Sequence, residues 1–236
     1  MTALAPEPRQ VTATCVLVDL RDCGVAGVRW AAACADALGV GLVVHAAPEN
    51  DPAHADVAAF LAEHPDLTVH IEHHDSPPAR WEGGLVVISR SRALAAPPLA
   101  GRDLRDVVVL GGTPAAVAGR FGVVTAVVEC VGGEGVVRRA IAFCRARQAT
   151  RLRVLMLPFA GTCDPLDAIA DAVHAACPGV IVELVREARS VTEETATHPS
   201  DLLVVSGRER GPAEGLQPAA RAALHHAACP VLFSCS

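Results

Sequence analysis

Short apolar runs alternate with longer amphipathic stretches along this chain. CVLVDL (15–20) is compact and rich in β-branched residues, and it reads as a buried strand. The alanine-rich segment after it has helical spacing and stops at Gly39, a residue suited to the left-handed turn that ends helices. VGLVVHA (40–46) is the next strand. In DPAHADVAAFLAEH, Asp51 is placed to cap a helix, with Pro52 at its first position and Pro65 beyond its end. LTVHIEHH (67–74), GLVVISR (84–90) and DVVVLGG (106–112) read as three further strands. The rest of the chain repeats the plan. It has a strand at 124–131, a helix to residue 148, RLRVLMLPF, a helix from Asp164, GVIVELVRE, DLLVVSG, a helix over 216–227 and CPVLFSC. Apolar strands alternating with amphipathic helices predict an α/β fold with mainly parallel, doubly wound sheets.

The repetition has a residue-level trace. LVVISRSR (85–92) and LVVSGRER (203–210) share LVV-x-x-R-x-R at an offset of 118. Upstream the correspondence runs at an offset of 113. Asp51-Pro52 answers Asp164-Pro165, Pro65 answers Pro178, Trp30 answers Phe143, and TATCVLVD (12–19) answers TAVVECVG (125–132). One offset held over residues 12–74, then a five-residue insertion, predicts a tandem duplication. The expected domains are 11–112 and 123–236, with GGTPAAVAGRFG (111–122) as linker. Their terminal strands, VVVL (107–110) and CPVLFSC (229–235), are expected to lie side by side, because unpaired edges of that composition invite aggregation.

Composition narrows the function classes. The 236 residues are 51% hydrophobic, enough to fill one large interior or two small ones. The net charge is −6, every basic residue is Arg, and no basic block occurs, which argues against a nucleic-acid partner. No apolar stretch is long enough to span a bilayer, and MTALAPEPRQ lacks the apolar centre of a secretory signal. The expectation is a cytoplasmic protein without a membrane partner. Nine cysteines, scattered with no CxxC pair, read as small buried residues of a reducing compartment.

Signs of catalysis are few. The chain has no Walker loop, G-x-G-x-x-G, G-x-S-x-G or H-E-x-x-H, and Cys229 and Cys235 have no charged sequence neighbour to activate them. In HIEHHD (70–75), His70, Glu72 and His74 would share one face of a strand, a donor set that suits zinc. The second copy carries Glu183, Val185 and Glu187 instead, and residues in one row of a strand are too far apart to close a tetrahedron, so no metal is expected. His225 and His226 read as an outer helix turn. Asp19 ends the first strand, where open α/β sheets gather ligands, and it serves equally well as a helix cap. LVVSGRERG (203–211) ends a strand in a small, arginine-bearing turn. Such a turn is either a solvated loop or a phosphate cradle of glycine amides and guanidinium groups.

ALHHAACPVLFS (223–234) resembles the closing helix and strand of a universal stress protein domain. Asp19 at the end of the first strand, Trp30 eleven residues later, and the two LVV-x-x-R-x-R segments extend the resemblance over nearly the whole chain, as two consecutive domains. It implies two five-stranded domains of the adenine nucleotide alpha hydrolase-like class. It also implies that their final strands pair as an internal pseudo-dimer, and it leaves a homodimer open. Family members that bind ATP use the first-strand Asp, a G-x-x-G loop and a later G-[ST] pair. Aligned on LVV, the first loop glycine falls on Ser206 and Ile88, and the second on Glu209 and Ser91. The late pair falls on Gln217-Pro218, and Gly132 replaces the Asp in the second copy. What remains of a nucleotide site is Asp19 in one copy and Ser206, Gly207, Arg208 and Gly211 in the other. The resemblance therefore implies a non-enzymatic stress-response or regulatory protein, with no cofactor and an unidentified protein partner. Two alternatives are an ATP- or AMP-binding member with a modified phosphate loop, and an enzyme of the wider nucleotide-binding group.

Overall fold

The computed structural model describes residues 15–46, 53–73, 84–95, 106–129, 133–157, 171, 173–186, 188, 190–207 and 216–234. Its strands are β1 (Cys15–Asp19), β2 (Gly41–Ala46), β3 (Val69–His73), β4 (Leu85–Ser89), β5 (Val107–Leu110), β6 (Val123–Val128), β7 (Arg151–Met156), β8 (Ile181–Val185), β9 (Leu202–Ser206) and β10 (Val231–Ser234). Its helices are α1 (Leu20–Leu38), α2 (Ala53–Ala62), α3 (Arg90–Ala95), α4 (Pro114–Val117), α5 (Glu134–Ala146), α6 (Val191–Thr197) and α7 (Pro218–His226).

The strands form a single sheet in the order β3-β2-β1-β4-β5-β10-β9-β6-β7-β8. Every neighbouring pair is parallel except β5–β10. The order reads the same from either end, as two five-stranded halves. The strands expected to be terminal do pair, antiparallel, with Val109 opposite Val231 and Val107 opposite Phe233. That single antiparallel step fixes the geometry of everything below. It turns the carboxyl ends of β1, β4 and β5 to one edge of the sheet and those of β6, β9 and β10 to the other.

Helices cover both faces, which is why the strands read as unbroken apolar runs rather than alternating ones. On one face Val16, Val18, Leu152 and Val154 pack with Val28 and Trp30 of α1 and Phe143 of α5. On the other, Leu17, Ile88, Val205 and Phe233 pack with Ala93 of α3, Val191 of α6 and Ala220 and Leu224 of α7. Side chains also tie the halves together. Arg139 Nε lies 2.7 Å from Asp106 Oδ2, and the Arg147 guanidinium stands 5.4 Å over the Trp30 ring.

The halves do not share one offset. Sheet register makes Cys15 the counterpart of Val123, Leu42 of Leu152, Val69 of Val182, Leu85 of Leu202 and Val107 of Val231. The offset thus grows from 108 to 124, because strands hold register while their connections differ in length. The left-handed residues that end α1 and α5, Gly39 (φ 66°) and Gln148 (φ 50°), also correspond, so Trp30 is not the counterpart of Phe143. Ser206 answers Ser89 rather than Ile88. Register also sets Val127, not Gly132, in the place of Asp19.

Two helices were not foreseen. The linker 111–122 contains α4, capped by Thr113 Oγ1 accepting from Ala116 N at 3.2 Å. α6 intervenes before β9, with Ser190 Oγ accepting from Glu193 N at 3.1 Å. The Ser-x-x-Glu spacing of 190–193 was the readable signal for it.

Candidate functional site

In each half the chain winds outward over two strands and returns, leaving a crevice at the carboxyl ends of β1 and β4, and of β6 and β9. Asp19 occupies the first crevice. It is fully buried and caps α1, accepting from Arg21 N at 2.9 Å. Its oxygens also take Arg21 Nε at 3.2 Å, Arg21 NH2 at 3.3 Å and Arg92 NH1 at 3.4 Å. A second set lies beside it. Asp22 accepts from Ser89 N at 2.8 Å and from the Ser89 hydroxyl. With its O–H donating to Asp22, Ser89 Oγ accepts from Arg92 N at 3.1 Å and pairs with Ser91 Oγ at 2.8 Å. Gly24 makes the arrangement possible. It interrupts α1 with φ 62° and ψ −174°, a region open to glycine alone, and so separates the Asp19–Cys23 turn from the rest of the helix.

Four donors surround a buried carboxylate, and removing one partner from such a pair costs about 3–5 kcal/mol. A phosphate seeking Arg21 or Arg92 competes with Asp19 for them. The Ser91–Ser89–Asp22 chain ties the end of β4 to the first turn of α1.

The second crevice is filled differently. Glu129, buried just past β6, accepts from Ala219 N at 2.9 Å through Oε1. Pro218 at the start of α7 has no amide proton, so Ala219 offers the first N–H of that helix. The site at which a helix amino terminus would meet an external anion is taken by the chain's own carboxylate. At an effective dielectric of 20, a phosphate about 4 Å from that carboxylate meets on the order of 4 kcal/mol of repulsion per charge pair. Gly207 N bonds Ser234 O at 2.8 Å.

The residues picked out from sequence do not form one site. Asp19 ends β1, and Ser206 ends β9 with Gly207 just past it, at opposite edges of the sheet with β4, β5 and β10 between. Arg208 and Gly211 lie outside the described residues. Sequence reading passed over Arg21, Asp22 and Glu129, whose partners are set by the fold. It also passed over His45. Register sets His45 beside Glu72, whose carboxylate stands 3.4 Å from His45 Nδ1 and 3.5 Å from His70 Nε2. Among the described residues no group of three or more His, Cys, Asp or Glu is placed to hold a metal, and His74 is not among them.

The described cysteines are free thiols. Burial pushes Cys34, Cys144 and Cys229 up to about 12, and Cys23 higher still, with Asp22 adding to it. Thiols held neutral in this way are poor nucleophiles. The chain has no Lys and no Tyr to titrate in the alkaline range beside these buried thiols. A folded-state pKa above the unfolded one stabilises fully below the unfolded value and is lost as pH rises through the folded value. Stability is therefore expected to hold up to about pH 8.5 and to fall progressively toward pH 12. Urea midpoints on either side of about pH 9 check this, and equal midpoints would contradict it.

No protein-family model matches the chain, and no curated protein matches its sequence. Solved structures do match. A universal stress protein from Archaeoglobus fulgidus DSM 4304 aligns at TM-score 0.58 and 10% identity, over 93% of this chain and 95% of that one. A Pseudomonas aeruginosa UCBPP-PA14 protein assigned to the universal stress proteins aligns at 0.54 and 14%, over 95% and 94%. The fold is that of the universal stress proteins. The cytoplasmic domain of a prokaryotic cation chloride cotransporter shares it, at TM-score 0.56 and 12% identity over 93% and 94%. No described helix is long and apolar enough to cross a membrane.

Proposed function

We propose that this chain is a tandem universal stress protein whose ATP binding is lost or weak. In this reading it is a non-enzymatic regulatory protein of the cytoplasm that acts through protein contacts, with its two halves forming an internal pseudo-dimer. The shared strand order of the halves supports the tandem reading. One observation carries the rest: the acid that ATP-binding members of the family would offer is committed here. Asp19 is buried under Arg21 and Arg92, and its register counterpart in the second half is Val127.

The expected result is no saturable heat in calorimetry at about 0.1 mM ATP with Mg²⁺. Freeing Arg21 and Arg92 would consume about 3–5 kcal/mol of the roughly 7 kcal/mol that a dissociation constant of about 10 μM represents. The second reading is an ATP- or AMP-binding protein with arginines in place of loop glycines. It is favoured by the partial exposure of Arg21 and Arg92 at the mouth of the first crevice. A constant below about 10 μM, weakened tenfold by Asp19→Ala, would establish that alternative and overturn the first reading.

A further inference from the structure

Helix α7 is held at its two ends by side chains from two different crevices. At the amino end, Glu129 from the end of β6 accepts from Ala219 N at 2.9 Å. At the carboxyl end, Arg90 donates through NH2 to Ala227 O at 2.6 Å and Cys229 O at 3.4 Å. Arg90 directly follows Ser89 and stands two residues before Arg92, both members of the Asp19–Asp22 network. A carboxylate at the amino end and a guanidinium at the carboxyl end each match the helix dipole.

The antiparallel β5–β10 step makes this double hold possible. It sets the amino edge of the second half beside the carboxyl edge of the first, so a helix crossing the second half ends next to the first crevice. Nine residues at 1.5 Å each span about 13 Å. Gly111 leaves room for the reach, since a Cβ there would lie 2.7 Å from the Arg90 guanidinium carbon. Register places Gly207, which carries no side chain, as the counterpart of Arg90.

We propose that α7 is a strut that couples the first crevice to the second: a shift of the β4–α3 turn moves Arg90, α7 moves with it, and the Glu129–Ala219 contact loosens. A short helix clamped at both ends moves as a body, which is the physical basis for transmission. The inference goes beyond the functional reading and needs no nucleotide, so its success or failure is separate from the calorimetry above.

Amide hydrogen exchange on the full chain tests it. In Arg90→Met, the amides of Ala219 and Arg221, at the far end of α7, are expected to exchange about tenfold faster relative to amides of α1. Arg90→Lys, which keeps a donor, should restore most of the protection. Gly111→Ala displaces the guanidinium while leaving Arg90 in the chain, and it should reproduce the effect at Ala219. If Arg90→Met does not fold, Gly111→Ala decides. Faster exchange confined to the last turn near Ala227, or an equal rise throughout both halves, would overturn the proposal.

Discussion

Replacing Gly112 by alanine is expected to destabilise the protein by about 3–5 kcal/mol, the range of the most disruptive single substitutions. Gly112 has φ 95°, and a Cβ there would lie 2.2 Å from the carbonyl carbon and oxygen of Ala228 and 2.4 Å from Cys229 N. All three are backbone atoms of the α7–β10 turn, so no rotamer change relieves the overlap. Next to it, Thr113 N donates to Ala228 O at 2.9 Å, and this bond anchors the connection between the halves to the strand that joins them. The alanine must therefore push the connection and β10 apart as well as adopt an unfavourable backbone conformation. Gly24→Ala is the control. Gly24 also has positive φ but nothing within 4 Å of an added Cβ, so only the conformational cost of about 1–3 kcal/mol applies. Urea denaturation of both variants checks the comparison. If Gly112→Ala costs no more than Gly24→Ala, the close approach at Ala228 is not what holds this connection.

Asp201→Ala is expected to cost a comparable amount, about 3–5 kcal/mol, by a different route. Asp201 is 2% exposed and its carboxylate gathers three successive amides: Phe121 N at 2.9 Å, Gly122 N at 2.6 Å and Val123 N at 3.2 Å. Asp201 N returns a bond to Val123 O at 2.8 Å, so the residue before β9 fastens the start of β6 on both sides. Alanine leaves three donors without an acceptor, and each buried unpaired amide costs about 1–3 kcal/mol. Partial hydration beside the half-exposed Phe121 keeps the total near the lower end of that sum. The loss is also electrostatic. Burial lowers the pKa of the Arg147 guanidinium, and Asp201 counters that shift. Asp201→Asn keeps one acceptor oxygen and is expected to lose about half as much. Thermal and urea unfolding followed by Trp fluorescence read this directly, because Trp30 lies under Arg147. A loss of under about 1 kcal/mol for Asp201→Ala would show that water replaces the carboxylate at little cost.

Much of the scaffold was legible because its signals are local. VVVL and CPVLFSC are too apolar to be left as open edges, and they pair. Gly39 marks the end of α1 because its αL conformation is cheap for glycine. α5 ends at the same geometry on Gln148, which carries no such mark, and there the reading of the helix end rested on periodicity alone. The matching of the two halves was legible in kind but not in register. Identities at one offset suggested a rigid copy, whereas each connection has its own length and only strand pairing shows which residues correspond.

The candidate site was legible only as a set of residue types. Asp19 was recognisable from its place at a strand end, yet its state depends on Arg92, 73 residues away. Ser89 meets Asp22 across 67 residues, Glu129 meets Ala219 across 90, and Arg90 meets Ala227 across 137. By itself the sequence determined the alternation of strands and helices, the doubly wound order that follows from it, and the apolar pairing of the terminal strands. Those rest on hydrophobic periodicity and turn chemistry, which act over a few residues. Only the tertiary structure decided which carboxylate each arginine would answer, and that the two crevices open on opposite edges with α7 between them. The reason is physical: a charge or an amide taken out of water must find a partner, and in a folded sheet that partner is chosen by proximity in space, which a single antiparallel step between β5 and β10 rearranged for the whole molecule.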